Sequence, residues 1–490
     1  MNQPDKVTVG IPAEANRSLA GGRRLLLKQY YLGCLAHASY LIGDEASGVA
    51  VVVDPRRDVE LYLDEAAANK MTVQHVVLTH FHADFVAGHL ELRDRTGAEI
   101  HVGARAEAEY AFVPVHDGDF LDLGANARIR FLETPGHTPE GISLLVYDLS
   151  VSREKPHAVL TGDTLFIGDV GRPDLFDSVD LSAEDLAGTL YDTLHEKLLT
   201  LPDETLVYPA HGAGSLCGRN LSTDTVSTIG EQRSFNYALQ PMSKGEFVSL
   251  ITNELPAAPS YFGRNAMLNR VERPTAPQDL DVNAEPLSVD DVLRIQAKGG
   301  QILDVRDPAD FAGAHLRGSI NVGLSGAFAQ WAGEVLDFDT PIALVGYPGG
   351  EQETVTRLRR VGLDNTVGFL AGGMQALEDG PDLVGRTERV TAGNLAEQLA
   401  AGRPPLAVDV RAKHEWDEGH IPGSVNIPLL GLRERLGELP RGRALTVYCA
   451  SGYRSSVAAS LLQRAGITDV TELVGGMAAW RVSKLVVEHS

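Results

Sequence analysis

THFHADFVAGH, residues 79–89, packs three histidines and an aspartate into one short loop directly behind VQHVVL, residues 73–78, an apolar run of strand type. A strand that empties into such a loop carries imidazole and carboxylate groups to one place, which is what gripping a metal ion requires. His80, His82 and Asp84 are the candidate donors. Phe85 stands beside Asp84, where a further ligand could be expected, and its phenyl ring has no lone pair to donate.

A metal site needs donors that converge from elsewhere in the chain. His137 lies in FLETPGHTPEG (131–141), Asp163 in AVLTGDTLF (158–166) and His211 in TLVYPAHGAG (205–214). Each follows an apolar run, so four strand-to-loop junctions carry His or Asp to one edge of a sheet sandwich. Around them GVAVVVDP (48–55) and ARIRFLETPGH (127–137) read as strands and VELYLDEAAANK (59–70) as a helix, the patterning of an α/β protein.

The 490 residues allow about three domains. A hydrophobic fraction of 43% and a charged fraction of 22% are those of a soluble globular chain. The net charge of −23 disfavours a nucleic-acid partner. No apolar run is long enough to span a bilayer, so no membrane is expected, and MNQPDKVTVGIPAEANRS lacks the apolar core of a signal peptide. A cytoplasmic location is the expectation. Cys34, Cys217 and Cys449 are too few and too far apart for a disulfide framework. Cys34, inside the apolar run YYLGCLAHASYLIG, reads as a core residue.

Prolines and charges replace periodicity over residues 269–286, a linker by composition. Beyond it the chain repeats itself. ILDVRDPADFAGAHLRGSINV (302–322) matches AVDVRAKHEWDEGHIPGSVNIPL (407–429), and FLAGGMQAL (369–377) matches ELVGGMAAW (472–480). A period of about a hundred residues is that of duplicated small domains, each with a mainly parallel sheet and helices on both faces. TVYCASGYRSSVAASLL (446–462) reads as strand, loop and helix start. Inward-pointing loop amides and the helix N-terminus would stabilise a thiolate or persulfide at Cys449, with Arg454 in a C-x4-R spacing. In the first copy, ALVGYPGGEQETVTRLRR (343–360), Gly346 occupies the place of Cys449, so no nucleophile remains there.

The order HxHxD, GH, GD, AH resembles the metallo-β-lactamase fold over about residues 24–225, which implies an αββα sandwich. Dinuclear hydrolases of that fold, glyoxalase II among them, use HxHxDH; Phe85 replaces the last histidine, so a second metal loses a ligand. THFHAD with TPGHTPE, TGDTLF and PAH is most similar to the persulfide dioxygenases. That resemblance implies one Fe(II) per chain held by His80, His137 and Asp163, a facial set with open positions. His82, Asp84 and His211 would then orient ligands or hold water, or would themselves ligate as in a zinc hydrolase. It also implies a small-molecule thiol persulfide and O2 as substrates, and sulfite or thiosulfate as product. In GDVGRPDLF (168–176), Arg172 could bind a carboxylate of the carrier thiol or pair with Asp174.

Residues 388–490 resemble rhodanese, which implies a sulfurtransferase with Cys449 as sulfur carrier; the earlier repeat resembles a rhodanese domain without its nucleophile. Cys217, in HGAGSLCGRN (211–220), is either a persulfide-relaying thiol near the metal or a buried structural cysteine. The expected layout is a metallo-β-lactamase-fold domain over 24–268, a linker over 269–286, an inactive rhodanese-like domain over 287–385 and an active one over 388–490. The fold often pairs, so a homo-oligomer is expected. Two other readings stand beside this one: a dinuclear zinc thioester hydrolase of glyoxalase II type with accessory rhodanese domains, and a sulfur carrier or sensor without turnover.

Overall fold

The structure, a computed structural model, describes residues 25–175, 181–219, 221–253, 255, 257–275 and 284–489. The chain divides into two compact units, one formed by residues 1–277 with 360–362 and the other by 278–359 with 363–490.

The first unit holds two six-stranded sheets. The first sheet runs in chain order through β1 (Leu25–Leu32), β2 (His37–Asp44), β3 (Val49–Val53), β4 (Thr72–Val77), β5 (Glu99–Gly103) and β6 (Val113–Val115). The second comprises β7 (Phe120–Asp122), β8 (Ala127–Glu133), β9 (Ile142–Asp148), β10 (Ala158–Gly162), β11 (Leu206–Pro209) and β12 (Ser227–Thr228), adjacent in that order. Alternate residues of the strands meet between the sheets: Ile42, Val51, Val53 and Val77 face Ile129, Phe131, Leu144 and Leu160, all at 0–1% exposure. Each such side chain contributes about 1.5–3 kcal/mol by leaving water. Helix α1 (Glu60–Ala68) covers the first sheet through Tyr62 and Ala66, and helix α2 (Ala183–Glu196) packs Leu190 and Leu194 against Val159 and Val207 on the second. α2 starts at Ser182, whose hydroxyl accepts from the Asp185 amide while the Asp185 side chain returns to the Ser182 backbone, a reciprocal cap.

Cys34 departs from its reading as a core strand residue. It is half-buried in the turn between β1 and β2, where Ala36 takes a left-handed φ of 49° to close the hairpin. The stretch read as a linker is divided. Residues 276–283 lie outside the described residues, whereas Asn269 and Arg273 are buried in the first unit.

The second unit shows the internal repeat as topology. Strands Pro286–Leu287, Thr366–Leu370, Ile342–Val345, Gln301–Asp304 and Ile320–Asn321 form one five-stranded parallel sheet in that spatial order. Glu388–Val390, Val470–Leu473, Leu445–Tyr448, Leu406–Asp409 and Val425–Asn426 form another in the corresponding order. The core strands of both sheets are buried and rich in Leu, Ile and Val, as a parallel sheet covered on both faces requires. No helix among the described residues is long and apolar enough to cross a membrane.

Candidate functional site

The residues singled out in the first unit converge where strands end. β4 runs into the 79–89 loop, β8 into the turn carrying His137, β10 into Asp163 and β11 into His211. One donor atom from each of His80, His137 and Asp163 lies within 4.8 Å of the other two, and all three residues are buried. Asp163 Oδ2 is 3.7 Å from His80 Nε2 and 3.4 Å from His137 Nε2.

The rings are held by their far nitrogens. His137 Nδ1 donates to the carbonyl of Arg172 at 2.7 Å, and His211 Nδ1 donates to that of Ala36 at 3.1 Å. Thr79 donates its hydroxyl to Asp54 Oδ2 at 2.8 Å, so its oxygen accepts from His80 Nδ1 at 3.0 Å. Each arrangement fixes the tautomer that turns the Nε2 lone pair inward. Neither carboxylate oxygen of Asp163 accepts a hydrogen bond from an N–H or O–H group, although both are buried. Burial, then the neighbouring imidazoles of His82, His137, His211 and His37, hold His80 well below the usual histidine range. A buried carboxylate whose oxygens lack a hydrogen-bond donor, facing the inward nitrogens of these imidazoles, is a donor set that fits a divalent cation.

A second group, His82, Asp84 and His211, also brings donor atoms within 4.8 Å. His211 Nε2 is 3.5 Å from Asp84 Oδ2 and 3.6 Å from Asp163 Oδ1. His82 is drawn another way: its Nε2 sits 3.0 Å from Asp54 Oδ1. Burial works against charge on His82, but Asp54 outweighs it and raises the group. The Phe85 ring lies 4.4 Å from His82 and 4.0 Å from His37, centroid to centroid, filling the space beside Asp84 with carbon.

Several residues that position this loop carried no functional reading in the sequence. Asp54 ends β3 with a left-handed φ of 50°, which aims its carboxylate at the Thr79 amide (2.8 Å), the Thr79 hydroxyl and His82. Glu140 accepts from the Phe81 amide at 3.0 Å. Asn269 donates to the carbonyls of His82 and Phe85 and accepts from the Ala87 amide, each at 2.8 Å. Gly171 is obligatory, because a Cβ there would lie 1.9 Å from the Asp163 carbonyl oxygen.

Arg172 closes on Asp174 through two 2.7 Å contacts and reaches the Leu216 carbonyl, so its guanidinium is engaged inside the protein and the structural ion pair is the arrangement present. Cys217 is buried beside the cleft, with a donor distance to Asp163 and His211 within 4.8 Å. Burial, then the carboxylates of Asp84 and Asp163, push its thiol up.

In the second unit Cys449 follows strand Leu445–Tyr448, and helix Tyr453–Arg464 begins four residues later. The Gly452 amide donates to Cys449 Sγ at 3.1 Å, a geometry that Gly452 reaches with a φ of 119°. Arg454 forms a two-pronged pair with Glu415 at 2.6 and 2.8 Å. The VGGM segment braces the loop, with Met477 N donating to the Cys449 carbonyl at 2.8 Å. In the first repeat Gly346 follows strand Ile342–Val345 in the corresponding place, and its loop frames a cavity of about 190 Å³ that includes Tyr347 and Phe369. The first repeat also anchors the Cys449 helix: Ser456 donates to Asn321 Oδ1 at 2.7 Å, Asn321 N to Ser460 at 3.0 Å and Tyr453 to the Gly323 carbonyl at 2.7 Å.

Residues 32–211 match the metallo-beta-lactamase superfamily, and residues 288–379 and 391–483 each match the rhodanese-like domain. The chain is 32% identical over 237 residues to the mitochondrial persulfide dioxygenase ETHE1 of Homo sapiens, an alignment covering 47% of this chain and 82% of that protein. The chain belongs to the ETHE1-type branch of the metallo-beta-lactamase superfamily. Behind that fold it carries two tandem rhodanese-like domains. It is also 34% identical over 175 residues to a hydroxyacylglutathione hydrolase of Polaromonas sp., covering 35% of this chain and 61% of that enzyme. Among solved structures it resembles a metallo-beta-lactamase from Staphylococcus aureus subsp. aureus COL, at 28% identity and a TM-score of 0.64, covering 71% of this chain and 99% of that one.

Proposed function

We propose that this chain is a non-haem iron persulfide dioxygenase coupled to a sulfurtransferase, which oxidises low-molecular-weight thiol persulfides to sulfite or thiosulfate in the disposal of sulfide-derived sulfur. The observation that carries the reading is the His80–His137–Asp163 set, whose two imidazoles and one carboxylate converge while Phe85 removes a donor from the neighbouring position. One Fe(II) held by those three residues would supply open coordination positions for a sulfur chain and O2. The chain's own groups do the rest. The Arg172 carbonyl and the Thr79 hydroxyl keep the imidazole protons on the outer nitrogens, and Asp54 holds the buried His82. Cys217, beside Asp163, stands where a thiol could take sulfur from a persulfide in the cleft.

Cys449 is the sulfur carrier in this scheme. Its thiolate attacks the sulfane sulfur of a persulfide or thiosulfate, the donor's S–S bond breaks, and the donor leaves as thiolate or sulfite. The Gly452 amide and the start of helix Tyr453–Arg464 stabilise negative charge on the attacking and the carried sulfur. The first repeat, with Gly346 in place of a nucleophile, serves as a packing partner that fixes the Cys449 helix through Asn321.

The second reading, a dinuclear zinc thioester hydrolase, is favoured by one observation: His211, which groups with His82 and Asp84, also lies 3.6 Å from the other oxygen of Asp163. Oxygen uptake by the anaerobically loaded protein on adding glutathione persulfide tests the two. Persulfide-dependent consumption of O2 supports the dioxygenase; oxygen-independent cleavage of a thioester with no such uptake supports the hydrolase.

A further inference from the structure

The first unit carries a further cluster of metal-ligating side chains that the cleft does not use. His75 lies in β4, and Glu99 and His101 lie in β5. The two strands pair in parallel with His75 opposite Glu99 and Val77 opposite His101. Alternate residues of a strand share a face, so His75, Glu99 and His101 project together from one side of the sheet. His75 Nδ1 is 3.1 Å from His101 Nε2 and 3.5 Å from Glu99 Oε2.

A tetrahedral ion with bonds of about 2.0–2.1 Å sets its donors about 3.3 Å apart. Both measured separations bracket that spacing, and one donor atom from each of the three residues lies within 4.8 Å of the others. The imidazoles are suited to bind. Burial lowers His75, and burial with His75 alongside lowers His101 to about 4, so both are neutral at pH 7. The His101 ring is held parallel to Phe131, with centroids 6.3 Å apart and planes 17° apart. The Glu99 side chain is 63% exposed, which gives an ion an entry path and leaves a fourth position to water.

We infer that His75, Glu99 and His101 form a binding site for a divalent first-row cation of the zinc, cobalt or nickel class, separate from the cleft. Two nitrogens and one carboxylate oxygen select these ions over magnesium or calcium. The ion would clip β4 to β5, and β4 leads into Thr79 and His80. Metal content of the whole chain would then exceed that of the cleft by one.

The test uses the full-length protein, stripped with chelator and dialysed against Co²⁺, with bound cobalt counted per chain. In the His80→Ala/Asp163→Ala background, which disables the cleft set, one cobalt per chain that depends on His75 and Glu99 is expected to remain. Adding Glu99→Gln, a change at an exposed position that spares the fold, should weaken that binding by about tenfold or more, and His75→Asn should do the same. The inference is overturned if the His80→Ala/Asp163→Ala protein binds no cobalt, or if Glu99→Gln and His75→Asn both leave the isotherm unchanged. The readout involves neither iron nor oxygen, so it stands apart from the proposed dioxygenase.

Discussion

Replacing Glu91 by Gln should loosen the loop that carries the candidate metal ligands, although Glu91 touches none of them. Its carboxylate is buried between two guanidinium groups: Arg57 Nε at 2.9 Å and Arg273 at 2.7 and 2.9 Å. Burial alone would raise this acid, but the two arginines, Arg273 foremost, lower it from 4.5 to about 2. A depression of that size corresponds to about 3 kcal/mol of folding stability, consistent with the cost of breaking a buried ion pair. The folded-state value lies below the unfolded one, so the contribution is complete above about pH 4.5 and is lost as the pH falls towards about 2. Arg273 anchors the segment that bears Asn269, the residue bonded to the His82 and Phe85 carbonyls.

All three tryptophans, Trp331, Trp416 and Trp480, lie in the second unit, so their fluorescence does not report on this clamp. Hydrogen–deuterium exchange of peptides spanning residues 79–103 does. At pH 7 the variant should exchange about a hundredfold faster there than the parent, with peptides spanning 445–473 unchanged as an internal reference. The difference should shrink as the pH is lowered through 4. A variant that exchanges within a factor of two of the parent, or a difference that does not depend on pH, would refute the reasoning.

His80→Ala should abolish persulfide-dependent O2 uptake and release the cleft metal while leaving thiosulfate sulfurtransfer intact; both assays on one preparation check it. Cys449→Ser should do the reverse, and loss of oxygen uptake in that variant would break the proposed division of labour. Phe85→His should restore a donor beside Asp84 and raise metal content by one ion per chain, measured by elemental analysis. Asn321→Ala removes the acceptor of the buried Ser456 hydroxyl and should destabilise the second unit by about 1–3 kcal/mol in tryptophan-monitored denaturation, with a matching loss of sulfurtransfer.

Much of this architecture is legible in the sequence because its signals are local. Apolar runs ending in His or Asp mark strand ends, and those ends do gather His80, His137, Asp163 and His211. The duplicated DVR and GGM segments translate into two sheets of matching strand order. What the sequence hides is support supplied from afar. Asn269 reaches the 79–89 loop across more than 180 residues from a stretch with the composition of a linker. Asp54 looks like the end of an ordinary strand; only its left-handed backbone shows that its carboxylate turns to the site. Arg172 left two partners open by residue type, and the fold places Asp174 within reach of both prongs. Cys34 sits among apolar neighbours yet falls in a turn, because Gly33 to Ala36 reverse the chain between two strands.

Anaerobic determination of the metal bound in the cleft, on protein carrying His75→Asn so that the strand site does not contribute, bears most directly on the proposed chemistry. One iron per chain, lost on His137→Ala, is the predicted result. Two zinc ions per chain, with one of them lost on Asp84→Ala or His211→Ala, would contradict it.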